Sequence, residues 1–196
     1  MATKEEIRRR TSIFRHETET EMIKFASEII GYKLLSMDQY KEAEAVYIYA
    51  DYNKEVETTL IIEDALKSGK KVALPKMYKT LAAEDENNSL YMKFHYIKSL
   101  DDLEPGYKGI REPKETCEEA DDFTGKSIMV MPVVGFDADR NRVGYGGGNY
   151  DKYLCNHKFK KTIGLAFDEQ KVDEIDGITK EDIKHDIILT QRVLYL

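Results

Sequence analysis

Short apolar runs separated by amphipathic, charge-rich stretches constrain the fold of this 196-residue chain more than any other feature. Residues 45–50, 71–75, 90–97, 127–131 and 162–167 read as strands, and residues 187–189 and 193–196 as short closing strands. Between them lie helical patterns. Thr3-Lys-Glu-Glu6 has capping-box form and opens a helical stretch whose apolar stripe is Ile7, Phe14, Met22, Ile23, Phe25, Ile29 and Ile30. Residues 57–66 read as a helix that ends at Ser68-Gly69, and residues 150–154 begin another. Strands alternating with helices predict an α/β fold: a mainly parallel central sheet with helices on both faces. The length fits a single domain over residues 1–196, long enough for a substantial core.

In such a sheet, ligands bind outside the carboxyl ends of the strands. That rule selects residues 51–58, Pro75-Lys76-Met77, residues 136–151 and Asp168-Glu169-Gln170. The third segment carries the most chemistry. An apolar strand runs through Pro132 and a charged loop into Gly146, Gly147 and Gly148, followed by Asn149-Tyr150-Asp151. Three glycines in a row leave the backbone free to take positive φ and to approach a ligand with no Cβ in the way. Amides at the mouth of a helix cradle phosphate, and an acidic residue directly behind is well placed for the metal ion of a nucleotide triphosphate. The stretch lacks the Gly-Lys-Ser/Thr ending of a P-loop and the Gly-x-Gly-x-x-Gly spacing of a dinucleotide fold. Spacing alone therefore leaves an ordinary loop as an equal reading. Arg140 and Arg142 within the loop favour the phosphate.

Charge and composition exclude several classes. A net charge of −7 argues against a nucleic-acid binder that relies on general electrostatic attraction. No apolar run approaches the roughly 18 residues of a membrane span, and the N-terminus lacks the apolar core of a secretory signal. Cys117 and Cys155 lie far apart and form no metal-type pair, so a reduced, cytoplasmic protein is expected. Residues 112–122, with six carboxylates, read as a solvated loop.

The order Pro132-x3-Phe136-Asp137…Asn141-Arg142-x-Gly144-Tyr145-Gly146-Gly147-Gly148-x-Tyr150-Asp151 resembles the signature of the 5-formyltetrahydrofolate cyclo-ligase, or methenyltetrahydrofolate synthetase, family. Lys4-x3-Arg8, Glu55-Val56-Glu57-Thr58, Leu74-Pro75-Lys76, Gly109-Ile110-Arg111-Glu112-Pro113, Gly164-Leu165-Ala166-Phe167-x2-Gln170 and Asp182-x3-Asp186 agree in order, so the likeness covers nearly the whole chain. It implies a three-layer α/β/α fold similar to the ribose-phosphate isomerase and coenzyme A transferase architecture. It also implies ATP- and Mg2+-dependent closure of 5-formyltetrahydrofolate to 5,10-methenyltetrahydrofolate, with ADP and phosphate released through phosphorylation of the formyl oxygen. Such phosphoryl transfer needs positioning and charge neutralisation rather than a nucleophilic side chain. The partner is then a small molecule, with neither nucleic acid nor membrane, and the protein is a monomer or homodimer.

By the same resemblance, Lys4 and Arg8, one helical turn apart, reach the ATP phosphates; Arg9 and Arg10 read as a solvated face. Arg142, Val143 and Gly144 through Tyr150 form the ATP loop, including Tyr145, Gly146, Gly147, Gly148 and Asn149. Lys4, Arg142 and Tyr145 are the catalytic candidates. Asp151 and Asp182 are the magnesium candidates, each with a plainer alternative as a helix first-turn acid or a surface carboxylate. Ala50 and Glu55, with Tyr145, Gly146, Gly147, Gly148 and Asn149, are the folate candidates, a carboxylate suiting the paired donors of the pterin ring. Glu57 reads as structural. Lys76 either neutralises a phosphate or the folate tail, or is an exposed lysine. His95 and His157 read as non-catalytic. The sequence departs from the commonest family pattern at Asn149, where a tyrosine is usual, at Lys152 for arginine and at Val143 for leucine; Asn149 removes an aromatic surface beside the substrate. Two other classes stay open: a sugar-phosphate or coenzyme A ester enzyme on the same fold, and a non-enzymatic folate or nucleotide sensor.

Overall fold

A computed structural model describes residues 1–79, 90–120 and 125–196. Strands β1 (Ala45–Tyr47), β2 (Lys71–Lys79), β3 (Leu90–Ile97), β4 (Ser127–Pro132), β5 (Lys161–Leu165), β6 (Ile187–Leu189) and β7 (Leu194–Tyr195) form one sheet in the order β7-β6-β5-β4-β1-β2-β3. β6, β5, β4, β1 and β2 are mutually parallel, with Ala45 opposite both Lys71 and Ser127 and Ile163 opposite Ile187. The two edge strands are antiparallel. The sheet is therefore mixed but mainly parallel, as expected. The helices are α1 (Lys4–Glu17), α2 (Thr20–Ser36), α3 (Asp38–Lys41), α4 (Thr59–Lys67) and α5 (Asn149–Asn156).

Side-chain alternation divides the core between the two faces of the sheet. Val46, Ile48, Val72, Leu74, Ile128 and Val130 meet Ile23, Ile30, Leu34, Ile61 and Ile62 of α2 and α4 on one face. On the other, Tyr47, Ala73, Phe94, Met129 and Met131 meet Tyr150, Tyr153 and Leu154 of α5. The three layers follow from these two apolar interfaces.

Several boundaries move. The capping box at Thr3 and Glu6 is present, but the first helical stretch breaks at Thr18 and Glu19 into α1 and α2. Met22 and Phe25 leave the predicted core stripe: they are 58% and 61% exposed, because α2 buries Ile23, Ser27, Ile30, Gly31 and Leu34 instead. The second strand runs four residues beyond Pro75 to Lys79, because β3 pairs with it from Val72–Ile97 to Lys79–Leu90. The solvated loop expected at residues 112–122 starts too early. Arg111–Pro113 pairs with Leu103–Pro105, and Glu112 is buried with its carboxylate 3.4 Å from the Met77 amide. Residues 121 and 122 of that loop lie outside the described residues.

The chain builds outward from β1 to β2 and β3, then returns to the other side of β1 as β4 and continues to β5, β6 and β7. The winding direction thus reverses between β1 and β4, and the loops leaving these two strands diverge around a crevice at their carboxyl ends. Residues after β1 include Ala50 and Glu55; residues after β4 lead to the glycine loop.

Candidate functional site

The loop after β4 is fixed from two sides before it reaches the glycines. The Thr11 hydroxyl of α1 donates to the Val134 carbonyl at 2.6 Å. The buried Gln170 amide donates to Val133 and Val134 at 2.7 and 2.9 Å. A short ribbon then pairs Gly135–Phe136 with Arg142–Val143. Gly146 has φ +101°, and Gly148, at the N-cap of α5, has φ +63°. Both values lie where a Cβ is disfavoured. A Cβ at Gly146 would also stand 3.4 Å from the Arg8 guanidinium.

Lys4, Arg8, Arg142, Val143, Gly144, Tyr145, Gly146, Gly147, Gly148, Asn149, Tyr150, Asp151 and Asp182 line a single cleft of about 210 Å³. All the ATP-loop and magnesium candidates are thus together, although Val143 packs its side chain against Ile7 and Ile175. Lys4 and Arg8 project from the same face of α1. Lys4 Nζ binds both Asp182 oxygens at 2.6 and 2.8 Å, and Arg8 Nε donates to the Gly144 carbonyl at 2.8 Å. The buried Arg142 donates to Asp151 at 3.0 Å, and the other Asp151 oxygen accepts from the Ile183 amide at 3.2 Å. That amide follows Asp182 by one residue, so Asp151 is held beside the segment that carries Asp182, and both line the cleft. Burial pushes the Asp182 carboxyl up, but its bonds from Lys4 and Thr179 outweigh this and leave it lowered. Arg9 and Arg10 face solvent, as expected.

The folate candidates stand differently. Ala50 and Glu55 are buried and lie outside the wall of the cleft. Glu55 reaches it through one bond: the Tyr145 hydroxyl donates to Glu55 Oε1 at 2.7 Å, while the Tyr52 amide donates to Oε2 at 2.9 Å. Burial raises the Glu55 carboxyl above the usual range, opposed by the Tyr145 bond and the Arg15 charge. Burial and the Glu55 charge raise the Tyr145 phenol. Asn149 stands on the rim between the cleft and a second hollow bounded by Tyr91, Met92 and His157.

Arg15 was absent from the sequence reading. It is buried on α1 and donates to the Tyr145 hydroxyl. A signal for it existed. Lys4, Arg8, Thr11 and Arg15 recur at i, i+4, i+7 and i+11, a polar stripe on one helix face, and each of the four reaches toward the loops around the crevice.

Lys76 is not an exposed lysine. It is buried, donates to the Pro113 carbonyl at 2.7 Å and pairs with Glu115 and Glu104 at 3.2 and 3.7 Å, outside the cleft. Glu57 precedes α4, with its amide on the Ser27 hydroxyl at 3.0 Å. His95 is held between the Tyr78 hydroxyl and the Cys117 carbonyl, and His157 stacks on Tyr153 at 3.9 Å. Both cysteines are free. Among the described residues, no helix is long and apolar enough to cross a membrane, and no cluster of three or more His, Cys, Asp or Glu side chains is placed to hold a metal.

The sequence model of the 5-formyltetrahydrofolate cyclo-ligase family matches residues 1–191. The 5-formyltetrahydrofolate cyclo-ligase of Mus musculus is 31% identical over 173 residues, covering 83% of this chain and 81% of that protein. The Escherichia coli K12 cyclo-ligase is 30% identical over 135 residues, covering 68% and 70%. The NMR structure of Aquifex aeolicus 5,10-methenyltetrahydrofolate synthetase matches with a TM-score of 0.80 at 27% identity, over 97% of this chain and 91% of that one. The 5,10-methenyltetrahydrofolate synthetase of Mycoplasma pneumoniae has the same fold, with a TM-score of 0.72 at 19% identity over 96% and 99%.

Proposed function

The chain belongs to the 5-formyltetrahydrofolate cyclo-ligase family and is an ATP-dependent cyclo-ligase, and from that premise we propose how its cleft divides the labour of the reaction. The observation that carries the reading is the meeting of the two loops at the sheet's reversal point. The cation-rich glycine cleft after β4 touches the buried Glu55 after β1 through the Tyr145 hydroxyl at 2.7 Å. One side suits a triphosphate and the other a neutral heterocycle with paired donors.

The formyl oxygen is a poor leaving group, since expelling it as hydroxide or oxide is prohibitive. Its attack on the γ-phosphorus of ATP breaks the bond to ADP and turns that oxygen into part of a phosphate ester. The neighbouring folate nitrogen then attacks the formyl carbon, phosphate departs with the electron pair of the C–O bond and takes up the proton lost from that nitrogen, and the methenyl bridge is closed. The protein's task is to align oxygen and phosphorus and to neutralise charge. Lys4, Arg8 and Arg142 supply three cations along the cleft, and the amides at the start of α5 add a partial positive charge. Lys4 and Arg142 are each matched by a carboxylate, so neither adds uncompensated charge to the cleft. A triphosphate can take over both cations.

Asp151 and Asp182 would hold magnesium. The ion keeps several waters and needs only one or two carboxylates, which fits two acids lining one open cleft better than it fits a closed cage. The ion would supply charge neutralisation on the phosphates. Glu55 accepts donors of the pteridine ring, Ala50 backs it from the segment after β1, and Tyr145 and Asn149 border the formyl group.

The test is a direct assay in which 5-formyltetrahydrofolate, ATP and magnesium are mixed with the protein. Methenyl product, followed by its near-ultraviolet absorbance, is expected to appear in one-to-one proportion to phosphate. Phosphate release without methenyl product, or product formation that persists without ATP, would refute the proposed sequence of steps.

A further inference from the structure

The geometry points to Arg15 as a positioning residue for the folate side of the cleft: it is the countercharge of Glu55, delivered through the hydroxyl of Tyr145. This inference rests on reading Glu55 as the pteridine contact and adds a residue that this reading does not include. Arg15 is 4% exposed and Glu55 5%. Among the described residues no carboxylate lies within ion-pair distance of Arg15, whose guanidinium instead donates to the Tyr145 hydroxyl and, at 3.4 Å, to the Val133 carbonyl. Its Nε is buried without a hydrogen-bond partner.

A buried cation so incompletely satisfied is a costly way to fill space, and a well-packed apolar side chain of similar volume would serve the fold as well or better. The guanidinium is explained by what its charge does. The chain Arg15 N–H to Tyr145 O–H to Glu55 carboxylate runs in one donor direction, and each bond polarises the next. Apart from the Tyr52 amide, which donates to Oε2 and also favours the ionised form, the groups around Glu55 bring it no help. Asp51 in the same loop repels it, and the neutral phenols of Tyr49, two residues past β1, and Tyr150 on α5 bring no positive charge. A protonated Glu55 would present a donor to a ligand that itself brings donors.

Steady-state kinetics across pH test this. Wild type should hold a flat KM for 5-formyltetrahydrofolate between about pH 6 and about pH 8.5, and Glu55→Gln a flat KM about ten-fold higher. Arg15→Met should resemble Glu55→Gln at the acid end and approach wild type at the alkaline end, with Arg15→Lys between them. KM for ATP should not move in any of these variants. Tyr145→Phe, which keeps both charges and removes the bridge, should shift the profile in the same direction as Arg15→Met. A KM raised equally at every pH in Arg15→Met would show a merely structural residue, and an unchanged KM would show no role; either overturns the inference. If Glu55→Gln itself leaves KM unchanged, the assignment of Glu55 to the folate falls, and the inference falls with it for that separate reason.

Discussion

The two halves of the crevice handle charge in opposite ways. In the cleft after β4, cations and carboxylates touch directly and the carboxylates stay partly open: Lys4 on Asp182 at 2.6 Å and the buried Arg142 on Asp151 at 3.0 Å. After β1, Arg15 and Glu55 are both buried and are kept apart by the hydroxyl of Tyr145. A triphosphate brings its own negative charge and can replace a carboxylate on a lysine or arginine. A pteridine brings no such charge, so the residue that receives it must already be poised. The difference suggests that the first half is assembled with its ligand and the second is preformed.

The largest effect should come from breaking the first half. Asp151→Ala removes a candidate magnesium ligand and frees Arg142, and is expected to lower kcat by about 10²- to 10³-fold, the scale of losing one stabiliser of transition-state charge. Supplementary magnesium should restore part of the rate. A variant with wild-type kcat and magnesium dependence would remove Asp151 from the metal. Gly146→Ala comes next. It forces a side chain onto φ +101° and toward Arg8, and it should raise KM for ATP about ten-fold through strain of roughly 1–3 kcal/mol while sparing KM for the folate.

His185 is buried, and burial followed by the Arg142 charge outweighs the Ile183 backbone and the Asp186 charge and lowers it to about 3. A histidine that stays neutral when folded but protonates when unfolded favours the unfolded state as pH falls below about 6.5. Stability should therefore be flat above that pH and lower by about 2 kcal/mol near pH 5 from this group alone. The unfolding midpoint in denaturant, measured against pH for wild type and His185→Gln, checks this; equal acid slopes would contradict it. The smallest effect is expected at Arg9→Gln. It changes a charge on the solvent face of the helix that carries Lys4 and Arg8, and should leave kcat and both KM values within two-fold.

The first half was legible in the sequence because its parts are contiguous or regularly spaced. Gly144 through Asp151 is one uninterrupted motif, and Lys4 and Arg8 are one helical turn apart. Strands alternating with helices implied a mainly parallel sheet, but not the strand order that puts the reversal beside β1. What could not be read were partnerships across long separations. Arg15 meets a tyrosine 130 positions away, and Lys76 is buried by Pro113 and Glu115, which reach it only because β2 continues past Pro75. Met22 and Phe25 were misplaced for a related reason. Hydrophobicity predicts that a residue prefers burial, but which helix face is buried depends on the break at Thr18 and Glu19 and on α4, which packs from elsewhere in the chain.

The most direct test of the division is an equilibrium titration of Glu55→Gln with each ligand separately, using 5-formyltetrahydrofolate in one experiment and magnesium with a non-hydrolysable ATP analogue in the other. Loss of a buried charged acceptor should weaken folate binding by about ten-fold or more and leave nucleotide binding as in wild type. Equal weakening of both, or weakening of the nucleotide alone, would contradict the separation of the crevice into a phosphate side and a folate side.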